Sequence, residues 1–191
     1  MSYHNLLSKT ARACATYLVQ SAAANAPQGQ QPFIDETTVF PVKFSLDKTV
    51  NNGLVICDCV RWVRDDANPG RYLVETRIVC KTPGSIQPQN AGPQSERLAS
   101  EQFVAQVFDL IFTDIVDADN TQLADNITSA ARTLAAAEPD TNGDLNLFKC
   151  DEVVFEGGSG DASSDGTFWE DVLNLTLYVR ATNATEPIEP N

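Results

Sequence analysis

Residues 54–82 carry the pattern that most restricts the fold of this chain: two strand-like runs joined by a short polar loop. The first run reads LVICDCVRWV, the second reads RYLVETRIVCKT, and the loop between them contains Asn68-Pro69-Gly70. β-Branched and aromatic residues favour strands, whereas Asn, Pro and Gly favour turns. The sequence therefore predicts a long β-hairpin at this position.

The predicted register of this hairpin places Trp62 directly opposite Tyr72. The other direct pairs in that register are Val60–Val74, Asp58–Thr76 and Ile56–Ile78. Because side chains alternate between the faces of a sheet, these residues form one almost wholly apolar face, which Cys80 joins. The opposite face is mixed and carries Val55, Cys57, Cys59, Arg61 and Val63 beside Leu73, Glu75, Arg77 and Val79. We expect helices to cover the apolar face and another subunit to contact the mixed face.

Hydrophobic periodicity predicts three helices, at residues 3–24, about 95–116 and 121–137. In each of them apolar residues recur at three- and four-residue steps, which is the spacing of an amphipathic helix. The second helix is the most hydrophobic, with a stripe formed by Phe103, Val104, Val107, Phe108, Leu110, Ile111 and Ile115. We expect it to pack on the hairpin face that contains Trp62 and Tyr72.

Two further strands are predicted near the C-terminus, at residues 145–156 and 168–181, separated by the flexible tract GGSGDASSDGT. The last strand alternates, with Leu173, Leu175, Leu177 and Val179 on one face. Residues 25–53 are predicted to be an extended connector with a short edge strand at 38–42, and residues 182–191 a disordered tail. The element order predicts one α+β domain over residues 1–191: an antiparallel or mixed sheet of about four main strands, with two or three helices on one face.

Charge and composition exclude some classes of function. The chain has 26 acidic and 13 basic residues, and a net charge of −13 disfavours direct binding to nucleic acid. It is compatible with a protein past which DNA slides without binding. No signal peptide is recognisable, and no apolar run approaches the roughly 20 residues that cross a bilayer. Five cysteines at irregular spacing indicate reduced thiols, so we expect a soluble protein made in a cytosol, with no membrane partner.

Candidate chemical sites are weak throughout the chain. Residues 140–151 resemble the start of a calcium loop, but the sixth position is Leu145 instead of glycine and strand patterns flank it, so we interpret it as a polar turn. Cys57, Cys59, Cys80 and Cys150 lack the knuckle spacing of structural zinc sites and are expected to be small buried residues.

The remaining candidates also favour a structural role. His4 is the only histidine and has no evident catalytic partner, and residues 157–160 (Gly-Gly-Ser-Gly) indicate a mobile hairpin tip instead of a P-loop. We therefore expect no enzymatic activity, no cofactor and no metal. The rival hypotheses are a metal-dependent enzyme that uses acidic residues and a small-ligand binding module.

The order of elements is the basis of a family resemblance. An Ala/Leu-rich N-terminal helix precedes the strand VICDC and its polar loop, and a second strand at 72–80 follows. The helix QFVAQVFDL at 102–110 and a final strand, with FWED before LNLTLYVR, complete the pattern. Across most of residues 5–181 the chain resembles the tail-terminator and tail-completion (neck) proteins of long-tailed bacteriophages. The connector at 25–53 and the loop at 82–95 are longer than in compact members of that family.

The resemblance implies a virion structural protein that forms a ring, commonly a hexamer, at the head-proximal end of the tail. Such a ring, assembled in the host cytoplasm, stops tube growth and joins the tail to the head-side connector, with DNA passing through its lumen. A different head–tail connector, a head-completion protein or a minor tail protein is the alternative within this class. The expected partners are other copies of the chain, the tail tube protein and the connector or neck protein.

The expected interaction residues lie mainly in the two polar hairpin tips, at residues 64–70 and 157–166. These tips are long and acidic, and the mixed hairpin face needs partial cover. The expected residues are Arg61, Arg64, Asp65, Asp66, Glu75, Arg77, Asp161 and Asp165.

Overall fold

A computed structural model describes residues 4–41, 53–83, 93–113, 121–137, 148–162 and 168–181 of the chain. Its elements in chain order are α1 (His4–Asn25), β1 (Val39–Phe40), β2 (Leu54–Arg64), β3 (Arg71–Pro83), α2 (Pro93–Phe112), α3 (Thr121–Ala137), β4 (Phe148–Ala162) and β5 (Phe168–Ala181). The strands form one mixed sheet in the order β1-β2-β3-β5-β4. β1 is parallel to β2, and the other neighbours are antiparallel. The predicted α+β class is confirmed.

The β2–β3 hairpin forms at the predicted position, and its turn explains the Asn-Pro-Gly signal. The Asp65 N–H donates to the Arg71 carbonyl (2.9 Å), and the Arg71 N–H donates to the Asn68 carbonyl (3.0 Å). Gly70 has a φ of 84°, in the left-handed region where a side chain would clash with the backbone. In the closed hairpin Tyr72 lies opposite Arg64, which is two residues nearer the turn than Trp62, its predicted partner.

β2 contains a β-bulge at Val60, and its register and side-chain faces differ from those predicted. Trp62 lies opposite Val74, whereas the pairing shifts between Cys59 and Arg61 so that Cys59 lies opposite Thr76. One extra residue in a strand reverses the direction of every side chain beyond it. The four predicted direct pairs are wrong, because the pairing is displaced by two residues on the turn side of the bulge and by one residue beyond it. The rings of Trp62 and Tyr72 still meet edge to face at 5.6 Å.

The bulge also places the cysteines on the opposite face from the one predicted. Cys57 and Cys59 share a face with Cys80, so the assignment of the first two to the mixed face is wrong. Cys57 and Cys80 are buried, and Cys59 is half-buried. Ile56 moves to the opposite face, where it lies in a small apolar cluster with Leu54 and Val79.

All three helices pack on the face that carries these cysteines, which we call the helix face. The core contains buried side chains from α1, α2, α3 and the strands. The Tyr17 hydroxyl of α1 donates to the Leu110 carbonyl of α2 (2.6 Å), and the Thr128 hydroxyl of α3 accepts from the Cys150 N–H of β4 (2.9 Å). As predicted, Leu173, Leu175, Leu177 and Val179 of β5 are buried.

The predicted hairpin tip at residues 157–160 is wrong. Residues 157–160 are not a hairpin tip, because β4 continues through them to Ala162 and pairs with β5 along its length. Gly157, with a φ of 115°, lies at a bulge between Phe155 and the following pair. The ladder with β5 outweighs the low strand propensity of glycine. Residues 114–116, 145–147 and 182–191, which belong to other predicted elements, lie outside the described residues.

Candidate functional site

The sheet face opposite the helices, which we call the open face, is the principal candidate for interaction. No helix of the described residues contributes to the apolar cluster on it, which Phe40 and Val172 complete. By strand register the open face contains Asp58, Arg61 and Val63 of β2, Glu75, Arg77 and Lys81 of β3, and Glu170, Asn174, Thr176 and Tyr178 of β5. It keeps Arg61, Val63, Leu73, Glu75, Arg77 and Val79 of the predicted mixed face. Val55, Cys57 and Cys59 lie on the helix face instead, and Leu54, Ile56 and Asp58 take their place on the open face.

Ion pairs neutralise much of the charge on the open face. Arg61 pairs with Glu75 across β2 and β3, through its Nε at 2.9 Å. Lys81 pairs with Glu170 at 2.8 Å, and its ammonium group lies 4.5 Å from the centre of the Phe168 ring. The Arg61–Glu75 pair is 65% and 42% exposed, and such pairs contribute little to stability. The charged residues named on this face are three carboxylates and three cations, so this surface is less acidic than the chain as a whole.

Arg77 occupies a different environment from these paired cations. It is exposed, and its side chain makes no ion pair or hydrogen bond within the described ranges, although Asp58 lies opposite it in the sheet. Two shallow concavities of about 310 and 320 Å³ adjoin at Arg77 and Asn174. The predicted contact residues Arg61, Glu75 and Arg77 thus lie together on one surface.

The β2–β3 tip is a rigid loop organised by Asp65. Its carboxylate accepts hydrogen bonds from the Ala67 N–H (3.0 Å), the Asn68 amide (3.1 Å) and the Arg71 Nε (2.5 Å). Desolvation raises the pKa of Asp65, but the hydrogen bonds from Asn68, Arg71 and Ala67 outweigh it and hold the pKa below its ordinary value. Asp65 therefore shapes the tip from within.

Arg71 connects this tip to the rest of the sheet. Its guanidinium lies 4.7 Å from the centre of the Tyr178 ring on β5 and 4.0 Å from Glu152 on β4. Of the predicted contact residues at this tip, Arg64 and Asp66 are exposed. They flank Asp65 in the chain and are accessible to a partner.

Of the second predicted group of acidic residues, Asp161 lies toward the other end of the sheet. Asp161 is in β4 opposite Glu170, and Asp165 lies outside the described residues. β3 runs between the two ends, from Arg71 beside Arg180 to Pro83 beside Phe168. Its 13 residues at about 3.3 Å each separate the ends by roughly 40 Å. The predicted tip residues therefore form two distant groups.

The cysteines have the properties of core residues. Burial raises the pKa of Cys59 to about 12, although a hydrogen bond with Thr76 opposes the shift, and desolvation raises the pKa of Cys14, Cys57, Cys80 and Cys150. Within the part of the chain that the structure describes, no group of three or more His, Cys, Asp or Glu residues could hold a metal ion.

The structure describes only the last part of the calcium-like loop at residues 140–151. Residues 140–147 lie outside the described ranges. Asp151, its last position, pairs with Arg180 at 2.5 Å and with Lys149 at 3.1 Å. Desolvation raises the pKa of Asp151, but the hydrogen bonds and positive charges of Arg180 and Lys149 have the larger, opposite effect. The pKa of Asp151 is therefore below its ordinary value.

An exposed aromatic pair was not predicted from the sequence. Phe112 and Phe155 are 39% and 45% exposed, and their rings meet edge to face at 5.5 Å. Phe112 lies outside the apolar stripe predicted for its helix, and Phe155 precedes an acidic residue near a predicted strand end. Aromatic residues outside a core-facing pattern were the available signal, but their contact depends on how α2 crosses the sheet.

These features define the class of protein: an α+β domain with one sheet face covered by helices and one face without a helix among the described residues. Neither a comparison with protein-family models nor a comparison with curated proteins finds a match to the chain. No described helix has the length and apolar character needed to cross a membrane.

Proposed function

We propose that this protein is a structural, non-enzymatic component of a phage virion, a tail terminator that forms a ring at the head-proximal end of the tail. In this proposal neighbouring copies form the ring, one hairpin end contacts the tail tube, and the other end contacts the head-side connector or neck protein. The proposal rests on the resemblance in element order and on the distribution of surfaces around the sheet.

The observation that carries the proposal is the roughly 40 Å between the two ends of the sheet. A terminator must contact the tube on one side and the head-side connector on the other, so it needs two contact surfaces that face apart. The β2–β3 tip is preorganised by the Asp65 and Arg71 contacts, which reduces the entropy lost when a partner binds. A sheet of this length supplies both surfaces in one subunit.

The charge distribution supports the same role. A surplus of 13 acidic residues disfavours binding to the DNA backbone, which suits a passage through which DNA must slide. The open face is the exception, because its cations Arg61 and Lys81 pair with acidic neighbours. A locally balanced surface can approach another protein without strong repulsion.

Two experiments test this proposal. Size-exclusion chromatography with light scattering should give a defined oligomer, and electron microscopy of the same fraction should show closed rings. A strict monomer at high protein concentration would contradict the proposal. Locating a labelled copy in assembled particles separates a terminator, at the head–tail junction, from a minor component elsewhere in the virion.

A further inference from the structure

Strand β4 is an edge of the sheet that is suited to contact another chain. It pairs with β5 on one side, and no strand of the described ranges pairs with its other side. Residues 157–160 of β4 have no large side chain, and Gly158, Ser159 and Gly160 are exposed. A stretch of this kind allows the backbone of another molecule to approach closely. Native proteins usually cover or block a long edge strand, so an edge without a described partner is a candidate contact for another chain.

An aromatic knob projects beside this edge. Phe155 of β4 lies opposite Leu175, on the helix face, and contacts Phe112 at the end of α2. Phe108 extends the group, with its ring 6.2 Å from that of Phe112. The other exposed large apolar side chains, Val60, Val63 and Phe33, do not join this group among the described contacts. Two large exposed rings side by side are typical of interface anchors.

The opposite edge of the same sheet carries a complementary hollow. Strand β1 has two residues and pairs with β2 on one side. Beside it is a trough of about 330 Å³ between α1, the end of α3 and β1. Its apolar lining includes Val19, Val39 and Leu134, and Arg12 and Glu36 contribute one charge of each sign. A cavity of about 150 Å³ holds benzene in a different, engineered protein, so this volume can receive two phenyl rings.

The knob and the trough share one side of the sheet. Both lie on the helix side, and they lie at its two opposite edges. Placing two copies edge to edge, with helices on the same side, therefore brings the knob of one copy to the trough of the next. Such a contact joins unlike surfaces, and repeating it produces a ring if the rotation closes.

We propose that the β4 edge of one copy, with Phe112 and Phe155, docks into the β1 edge of a second copy of this chain. Backbone pairing between β4 and the two residues of β1 joins the two sheets, and the two rings fill the trough. This inference deepens the proposed function by naming the surfaces that join ring subunits. It assigns the subunit contact to the edges of the sheet instead of its open face.

Two single substitutions test the contact from its two sides. Phe155→Ser removes the more exposed ring of the knob, and Thr133→Arg places a long charged side chain in the trough from an exposed helical position. Each variant alone should lose the oligomer and give the 20.7 kDa mass of one chain in light scattering. Circular dichroism and thermal unfolding check that both variants fold.

Mixing the two variants is the decisive measurement. Phe155→Ser keeps its trough and Thr133→Arg keeps its knob, so an equimolar mixture should give a species of twice the chain mass. A mixture that stays monomeric would overturn the edge contact, as would either variant assembling like the unmodified protein.

Val63→Ser, at a 46% exposed position on the open face, is the matched control and should leave assembly unchanged. Loss of the oligomer in this control, with normal assembly of the two edge variants, would assign the contact to the open face. In that case the inference fails and the proposed function stands. If the unmodified protein is itself a monomer, both fail.

Discussion

Removal of one hydroxyl tests how α2 is attached to the rest of the core. The Tyr17 hydroxyl donates a 2.6 Å hydrogen bond to the Leu110 carbonyl, and the Tyr17 residue is 5% exposed. α2 ends at Phe112, so Leu110 is within the last turn, where backbone carbonyls have no partner in the helix itself. Tyr17 therefore satisfies a buried carbonyl and connects α1 to α2.

The expected cost of Tyr17→Phe follows from this geometry. The ring remains in place, so no cavity forms and the loss is confined to the hydrogen bond. A net hydrogen bond contributes about 0.5–1.5 kcal/mol, and a buried group left unsatisfied costs about 1–3 kcal/mol. We expect the free energy of unfolding to fall by about 1–2 kcal/mol, with the midpoint of thermal unfolding lowered by about 2–8 °C for a chain of this size.

Urea and thermal denaturation at one fixed protein concentration measure the effect. Tyr178→Phe is the matched control, because the Tyr178 hydroxyl makes no hydrogen bond within the described residues and its ring contact with Arg71 is retained. The control should change the free energy of unfolding by less than about 0.5 kcal/mol. Equal stabilities for the Tyr17 variant and the unmodified protein would refute the assigned contact between α1 and α2.

Three further predictions concern other parts of the fold. Thr128→Val leaves the buried Cys150 N–H without its acceptor and should lower the free energy of unfolding by about 1–3 kcal/mol, whereas Thr128→Ser should retain most of it in the same urea titration. The pKa of Asp65 is lowered by folding, so its contribution to stability is present above the ordinary carboxyl pKa of about 4 and is lost as the pH falls through the folded value. Asp65→Asn should therefore reduce the loss of stability between neutral and acidic pH, and an unchanged acid profile would contradict the role of the loop. Because burial keeps the thiols protonated, a maleimide at neutral pH should label the five cysteines slowly in the native protein and completely in denaturant; rapid native labelling would oppose the core placement.

Local sequence patterns predict most elements of this fold but not their register. The Asn68-Pro69-Gly70 signal locates the first turn, and the alternation of Leu173, Leu175 and Leu177 identifies the buried face of β5. The bulge at Val60 has no comparable signal, because it depends on how Trp62 and Cys59 both reach the helix face. A single inserted residue therefore reversed the predicted positions of the cysteines.

The candidate surfaces, too, were predictable from local sequence patterns only in part. Arg61, Glu75 and Arg77 share a strand face that alternation alone identifies. The distance between the two tips follows from the sheet order, in which β5 lies between β3 and β4, and local pattern cannot supply that order. The Phe112–Phe155 contact joins α2 and β4, and the trough is lined by α1, α3 and β1. Both depend on packing between elements that are far apart in the chain, which local patterns do not predict.

The mass and shape of the purified assembly test the central claim most directly. Light scattering combined with electron microscopy of the eluted peak should show closed rings of identical subunits, six in each ring if the family resemblance holds. A species at the 20.7 kDa of a single chain across the whole concentration range, with no rings in the micrographs, would contradict the proposal of a ring-forming virion protein.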